Sequence, residues 1–282
     1  MKIKAFAKIN LGLRILRKRE DGYHDIETVF HRINLFDELE FSASDIISMD
    51  CDNPEIPVDE NNLCLRAAGL LKLKYDINKG VHISLQKNIP VGAGLGGGSS
   101  DAAAVLVHLP KFWGLEISIS NLMDIALSLG SDVPYFVKDG TAYATGRGEK
   151  LEYIKLDIPY WIILVNPQIH VSTAWAYKNV NINPKKETTN LKNDLIGNIK
   201  YPEKLRDLIT NDFEEVVFKH YEQIKNIKTH LKELGAAFAL MSGSGASGYG
   251  FFKTKPDMNE ASQKFGSKHK IFITEPFFKP VI

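Results

Sequence analysis

Cysteine is nearly missing: Cys51 and Cys64 are the only two in 282 residues, and no C-x-x-C occurs. That excludes a disulfide framework and the common zinc spacings, and it fits a chain kept in a reducing cytosol. Long apolar runs are missing as well; none approaches the roughly 18 residues of a membrane span, so no membrane partner is expected. An excess of one charge is missing, since 35 Lys and Arg face 34 Asp and Glu for a net +1. A chain so balanced is not read as a dedicated nucleic-acid binder, and its expected partner is a small molecule. Internal repeats and low-complexity segments are absent. What remains is an ordinary globular composition, 44% hydrophobic and 24% charged, in a length that suits one large domain or two of about 150 residues each.

Glycine is what the chain has in excess at one place. The stretch Pro90-Val91-Gly92-Ala93-Gly94-Leu95-Gly96-Gly97-Gly98-Ser99-Ser100-Asp101 lies between an apolar run with strand character, Val81 to Leu85, and an alanine-rich helical run, Asp101 to Leu109. A glycine loop feeding a helix start aims several backbone N–H groups at one point, and the helix N-terminus adds partial positive charge there. Glycine is needed where a Cβ would block close approach of an anion. The stretch therefore reads as a phosphate cradle. Ser99 and Ser100 fall where N-cap residues belong, and their hydroxyls could face a phosphate or a metal. No Gly-Lys-Ser/Thr occurs in the loop, so it is not a Walker A element. Gly92-x-Gly94-x-x-Gly97 spells the dinucleotide fingerprint, but Lys87-Asn88-Ile89-Pro90 separates it from its strand. Around Glu116 the chain turns into another helix, where that fingerprint needs an acidic residue ending a strand. A plain glycine-rich turn is the remaining alternative, although this many glycines followed by two serines is more than a turn needs.

The basic run Lys2 to Arg19 has no acidic residue, as a transit peptide would not. Its period is two, however. Ile3, Ala5, Ala7, Ile9, Leu11, Leu13 and Ile15 alternate with Lys2, Lys4, Phe6, Lys8, Asn10, Gly12 and Arg14. That is a half-buried strand with Lys8 and Asn10 side by side on one face. Lys2 and Lys4 read as solvated; Lys8 and Asn10, between small residues, read either as solvated or as facing a ligand. Asp21-Gly22 is a hairpin turn signal. Tyr23-His24 follow it, structural or ligand-facing, and a strand-rich run continues from Ile26 to Phe41. Leu63 to Leu73 reads as a helix with Leu63, Ala67, Leu70 and Leu71 on its apolar side. Pro110 should kink or end the helix behind the glycine loop, and Ser120 looks like the N-cap of a helix over 121–129. Asp132, two residues before Pro134, reads by default as another N-cap.

A buried strand over 160–165 opens the second half, and the domain boundary is placed just before it, giving 1–155 and 156–282. The polar stretch 179–198 reads as a mobile connector and 211–234 as one helix. A strand over 236–241 enters a second small-residue loop, Ser242-Gly243-Ser244-Gly245-Ala246-Ser247-Gly248. That loop could be structural or could face the same phosphate as the first. A strand over 249–252, a helix over 259–265 and a strand over 270–274 close the chain.

Three stretches, Ala7-Lys8-Ile9-Asn10-Leu11-Gly12-Leu13, Pro90 to Ser100, and Met241-Ser242-Gly243-Ser244-Gly245-Ala246, occur in this order. Together they resemble the three motifs of the GHMP kinase superfamily, which includes galactokinase and the homoserine, mevalonate and phosphomevalonate kinases. The likeness runs from about Lys4 to Phe252. It implies an α+β, two-domain GHMP kinase fold with an N-terminal ribosomal-protein-S5-like domain, a C-terminal ferredoxin-like α/β plait and an active site in the cleft between them. It implies ATP and Mg²⁺, and an alcohol as phosphoryl acceptor. Asp21-Gly22-Tyr23-His24 and Gly130-Ser131-Asp132-Val133-Pro134 further resemble the branch whose acceptor is a methylerythritol carrying a cytidine diphosphate, phosphorylated at its 2-hydroxyl on the non-mevalonate route to isoprenoid precursors.

On that likeness Asp132 is the catalytic base, Lys8 lies beside it, and Asn10 helps place the substrate. Tyr23 and His24 hold the cytosine, with Tyr177 as a second stacking ring. Pro90, Gly92, Gly94, Leu95, Gly96, Gly97, Gly98, Ser99 and Ser100 hold the ATP phosphates, and Ser99 or Ser100 meets the metal. Lys87, Asn61 and Asn62 lie near the nucleoside. A cytoplasmic monomer or weak homodimer is expected. Readings from other classes are a dinucleotide-dependent oxidoreductase, opposed by the interrupted fingerprint, and a nucleotide-binding protein without catalysis, opposed by the presence of both Lys8 and Asp132.

Overall fold

A long antiparallel hairpin carries the N-terminal half of this computed structural model, which describes residues 1–182 and 189–280. Its strands are β1 (Lys2–Lys18) and β2 (His24–Ser42), joined through Gly22 at φ 84°. β3 (Ile47–Cys51), α1 (Leu63–Lys74), β4 (Val81–Gln86), α2 (Gly97–Trp113), α3 (Ile119–Leu129), α4 (Val133–Val137), β5 (Thr141–Thr145) and β6 (Lys150–Ile154) follow. The sheet order is β3-β4-β2-β5-β6, with β1 along the other edge of β2. β2 is long enough to pair β5 through Thr28–Phe30 and β4 through Glu38–Ser42. Helices α1 to α4 cover this sheet. The alanine-rich face of α2, Ala102 and Ala103 with Val105 and Leu106, is wholly buried against it.

The second half holds β7 (Trp161–Asn166), α5 (Thr173–Asn179), α6 (Leu191–Asn198), α7 (Pro202–Leu208), α8 (Phe213–His220), α9 (Glu222–Glu233), β8 (Phe238–Met241), β9 (Gly248–Phe252), α10 (Lys255–Gln263) and β10 (Lys270–Thr274). Its antiparallel sheet runs β10-β7-β9-β8. The two halves share a core in which Ala7, Ile9 and Leu11 of β1 pack with Ile162, Leu164, Tyr249 and Phe251. Fully burying each large side chain there is worth about 1.5–3 kcal/mol.

β1 is therefore not half-buried as its alternation suggests; Phe6, Lys8, Asn10 and Arg14 are buried too. Its outer edge is closed by distant segments, with Lys8 N–H donating to Leu95 O at 3.0 Å, Leu13 N–H to Thr210 O at 2.9 Å and Asp212 N–H to Leu13 O at 2.9 Å. Other expectations also change. α2 starts at Gly97, within the glycines, and continues through Pro110 to Trp113. Ser118, not Ser120, caps α3, accepting from Asn121 N–H. The stretch read as a connector ends in α6, because Leu191 and Leu195, four apart, bury one face of a mostly polar helix. Pro184 and the lysine pair read with it lie outside the described residues. The helix expected over 211–234 is two, broken at Tyr221, whose φ −129° and ψ 80° are not helical. α10 begins at Lys255, capped by Thr254. No helix among the described residues is long and apolar enough to cross a membrane.

Candidate active site

β1 presents Lys8 and Asn10 to the inside of a cavity of about 1040 Å³. The period of two places both side chains on one face, and Lys8 Nζ donates to Asn10 Oδ1 at 2.5 Å. Lys8 Nζ also donates to Gly94 O at 3.1 Å and lies 5.2 Å from the centroid of the Phe30 ring. The Asn10 amide is fixed from its other side, where Nδ2 donates to Thr28 Oγ1 at 2.8 Å. Thr28 in turn donates to Gly12 O at 2.6 Å. Asp132 stands at the N-cap place of α4, yet its side chain makes no cap bond. It faces Lys8 at 3.9 Å, with the lysine side chain 5% exposed and the carboxylate 39% exposed. The carboxylate is thus open to the cavity while the ammonium is not. Burial holds the Lys8 ammonium below its ordinary pKa, and the Asp132 charge works against that.

The glycine loop forms one wall. Gly96 is the N-cap of α2 at φ 71°, and no side chain caps the first N–H groups of the helix. Gly94 sits so close to the second loop that a Cβ there would meet Ser242 O at 2.1 Å. Ser242 Oγ donates to Gly94 O at 2.9 Å, and Gly243 and Ser244 line the cavity beside it. The second loop thus backs the first and shares its cavity. Pro90, Gly92, Gly97, Gly98 and Ser99 line the same wall. Leu95 is buried and offers its carbonyl to Lys8 N–H. Ser99 and Ser100 are inside the first turn of α2 and are not its N-cap. Ser100 does not reach the cavity; its hydroxyl donates to Phe6 O at 2.8 Å.

Lys87, Asn61 and Asn62 lie at the next part of the wall. Asn62 is occupied as the N-cap of α1, accepting from Cys64 N–H at 2.8 Å and donating to Pro57 O at 2.7 Å. Asn61 is exposed and bonds Asp59. The Lys87 ammonium is buried between Asp37 and Asp101, the latter at 2.9 Å. Burial opposes its charge, but the two carboxylates outweigh burial and hold its pKa above the ordinary value. Asp37 also accepts from Asn88 N–H at 2.6 Å and Ile89 N–H at 2.8 Å, so this ion cluster ties down the chain entering the loop. Among the described residues no group of His, Cys, Asp and Glu is placed to hold a metal ion.

At the far end His24 and Tyr177 stack, with ring centroids 4.9 Å apart and planes 21° from parallel. Tyr177 comes from α5, which Ser172 caps by accepting from Trp175 N–H. Tyr23 is exposed beside them, and the Arg147 guanidinium lies 4.7 Å from its ring centroid. Burial and the nearby Lys18 cation push the His24 pKa below its ordinary value. Lys18 and Arg147 line this end and were not singled out from the sequence; the available signal was an arginine isolated between Gly146 and Gly148. Thr28 and Phe30 were missed for a different reason, since their role depends on the cross-strand pairing of Asn10 with Phe30.

The chain is similar to known proteins along almost its whole length. Residues 62–140 match the model of the GHMP kinases N terminal domain, and residues 195–271 that of the GHMP kinases C terminal. The chain is 46% identical over 280 residues to a 4-diphosphocytidyl-2-C-methyl-D-erythritol kinase of Chlorobium phaeobacteroides, covering 98% of this chain and 97% of that one. It is 44% identical over 279 residues to a kinase of the same name from Pelodictyon phaeoclathratiforme, at 98% and 97% coverage. A crystal structure of 4-(cytidine 5'-diphospho)-2C-methyl-D-erythritol kinase matches with a TM-score of 0.83 at 31% identity, over 97% of this chain and 98% of that one. With two α+β halves, both domain models and relatives this similar along almost its whole length, the chain belongs to the GHMP kinases and, within them, to the family of the 4-diphosphocytidyl-2-C-methyl-D-erythritol kinases.

Proposed function

We propose that the protein transfers the γ-phosphoryl group of ATP to the 2-hydroxyl of 4-diphosphocytidyl-2-C-methyl-D-erythritol, giving the 2-phosphate and ADP in the non-mevalonate isoprenoid pathway. The observation that carries this reading is the continuity of one cavity, with the glycine loop at one end, Lys8 and Asp132 between, and the His24 and Tyr177 rings at the other. Its volume of about 1040 Å³ is at the upper limit of single-ligand pockets and suits two substrates end to end. The site lies where two units meet, and we draw their boundary between residues 155 and 156, after the last strand of the first sheet.

Phosphoryl transfer asks a protein mainly for positioning and charge stabilisation. The N–H groups of the glycine loop and of the α2 N-terminus receive the ATP phosphates. Mg²⁺ keeps several waters and needs few protein ligands, so the phosphates and the Ser99 hydroxyl would hold it. Asp132 accepts the proton of the attacking hydroxyl, a role worth about 10²–10⁴-fold. Lys8, 3.9 Å from that carboxylate, places positive charge beside the oxygen that loses the proton. Asn10, locked between Lys8 and Thr28, orients the acceptor. A His24 kept neutral has one donor and one acceptor, which suits the edge of cytosine, while Tyr177 and Tyr23 offer ring faces. Lys18 and Arg147 bring positive charge for the diphosphate.

The test is ADP release with Mg-ATP and, in parallel, the cytidylyl methylerythritol, free methylerythritol and mevalonate. Turnover with the first alone is expected. Turnover with mevalonate alone would keep the phosphoryl chemistry and overturn the acceptor. His24→Ala should raise KM for the cytidylyl substrate and leave KM for ATP in place; two unchanged KM values would remove the nucleobase role.

A further inference from the structure

Asp132 takes its position from α4, a helix of only five residues. So short a helix has little stability of its own, and its last carbonyls have no partners within it. Arg32 of β2 supplies partners for two carbonyls at this end, and the Tyr153 hydroxyl donates to Tyr135 O at 3.2 Å and to Lys138 O at 3.4 Å. Arg32 Nη2 donates to Phe136 O at 2.8 Å and to Lys138 O at 3.3 Å. Its Nη1 pairs with Asp139 at 2.9 Å, and the arginine side chain is only 5% exposed. The guanidinium also lies 5.8 Å from the Tyr135 ring centroid and 5.7 Å from that of Phe136. In the ladder of β1 and β2, Arg32 is the direct partner of Lys8. Arg32 therefore both grips the far end of the helix that bears Asp132 and stands opposite the strand position that bears Lys8, which Tyr153 does not. The same helix reaches the phosphate loop, since a Cβ on Gly96 would meet Phe136 Cζ at 2.9 Å and Lys8 Cε at 3.3 Å.

We infer that Arg32 is a positioning residue for phosphoryl transfer: it ties the C-terminal end of α4 to the hairpin and thereby sets the separation of Asp132 from Lys8. The inference rests on Asp132 acting as the base. Arg32 does not line the cavity, so it acts through Asp132 and not by contact with either substrate. Misplacing a reacting group by 1 Å costs about 100-fold in rate. Lysine at position 32 would keep the charge and much of the stem. It lacks the planar fork that lets Arg32 hold a carbonyl and a carboxylate at once.

The experiment is a double-variant cycle on the full-length protein. kcat and the Kd of a non-hydrolysable ATP analogue are measured for Arg32→Lys, Asp132→Ala and the pair. Arg32→Lys should lower kcat by about 100-fold with the nucleotide Kd unchanged. In the Asp132→Ala background it should lower kcat no further, because the group it positions is gone. The same fold-loss in both backgrounds, or a Kd that rises with the loss of kcat, would mark Arg32 as a general support of the fold and overturn the proposal. Should Arg32→Lys not fold, Asp139→Asn replaces it. Asp139 is 51% exposed and holds the same guanidinium, so it should lower kcat in the wild-type background only; an unchanged kcat overturns the proposal. Asp132→Ala at full turnover would overturn the role of Asp132 and the proposal with it. An inert Asp132→Ala beside a fully active Arg32→Lys overturns the proposal alone.

Discussion

Alanine at Gly94 and alanine at Gly98 should have opposite effects on the fold and the same direction of effect on the reaction. Gly94 has φ 75°, where an L residue costs roughly 1–2 kcal/mol. Its Cβ would stand 2.1 Å from Ser242 O and 3.1 Å from Gly245 O, where ordinary contact begins at 3.4 Å. The two loops would have to part by over an ångström, and overpacking of this kind costs about 1–3 kcal/mol. The parting carries Gly94 O away from Lys8 Nζ and Ser242 Oγ, now 3.1 and 2.9 Å away. Lys8 would shift with it, and a shift near 1 Å lowers kcat by about 100-fold. Gly98 is in the first turn of α2, and its Cβ would meet only Leu63 Cδ1 at 4.0 Å. There alanine is favoured by about 0.8–1.0 kcal/mol, which raises the melting midpoint by about 2–4 °C. Gly98 and Leu63 both line the cavity, so the added methyl stands at its wall and KM for ATP should rise. Thermal unfolding and steady-state kinetics with ATP varied measure both. A Gly98→Ala protein with a raised midpoint and an unchanged KM would refute the phosphate cradle. A Gly94→Ala protein native in both would refute the contact between the loops.

Two further outcomes follow from buried ionisable groups. Lys87→Met strands Asp37 and Asp101 without a cation and should destabilise the fold by about 3–5 kcal/mol, read as a lower denaturant midpoint; a native midpoint with a raised KM for ATP would instead place Lys87 at the nucleotide. His31, whose Nδ1 lies 2.7 Å from Thr141 Oγ1, has its pKa pushed from 6.5 down to about 4 by burial, against a smaller pull from Asp157. The unfolded chain takes up that proton below 6.5 and the folded one does not, so stability is full above that pH and about 3 kcal/mol is lost as pH falls to 4. His31→Gln should flatten that limb of a stability–pH profile, and an unchanged profile would clear His31.

What was legible in the sequence was local. The period of two marks β1 whatever packs on it, and glycine composition marks the loop because phosphate binding by backbone is a property of a few consecutive residues. β10 fills the expected 270–274 for the same reason. What escaped reading depends on partners far along the chain. A Cβ on Gly12 would meet Leu191 at 2.8 Å, and that contact seats α6, the end of a stretch that reads as a connector. Lys87 looks like a free cation until Asp37 and Asp101 are brought to it. Arg32 looks like one more strand residue until α4 is laid over it. Tyr177 entered through family resemblance alone, for nothing in its own pattern sets it against His24.

The outer edge of β1 has a consequence for the newborn chain. Asn10 is completed by Ser242, whose hydroxyl receives its N–H at 3.2 Å, and by Tyr249, whose hydroxyl reaches its carbonyl at 3.0 Å. At synthesis rates of 5–20 residues per second, the strand bearing Lys8 leaves the ribosome roughly 10–50 s before those partners exist. Until these partners and the earlier Leu95 and Thr210 have emerged, part or all of it is an open strand edge, the kind that recruits other chains. A message cut short before Ser242 would therefore yield an adhesive fragment with no half-activity, and chaperone demand should fall mainly on β1.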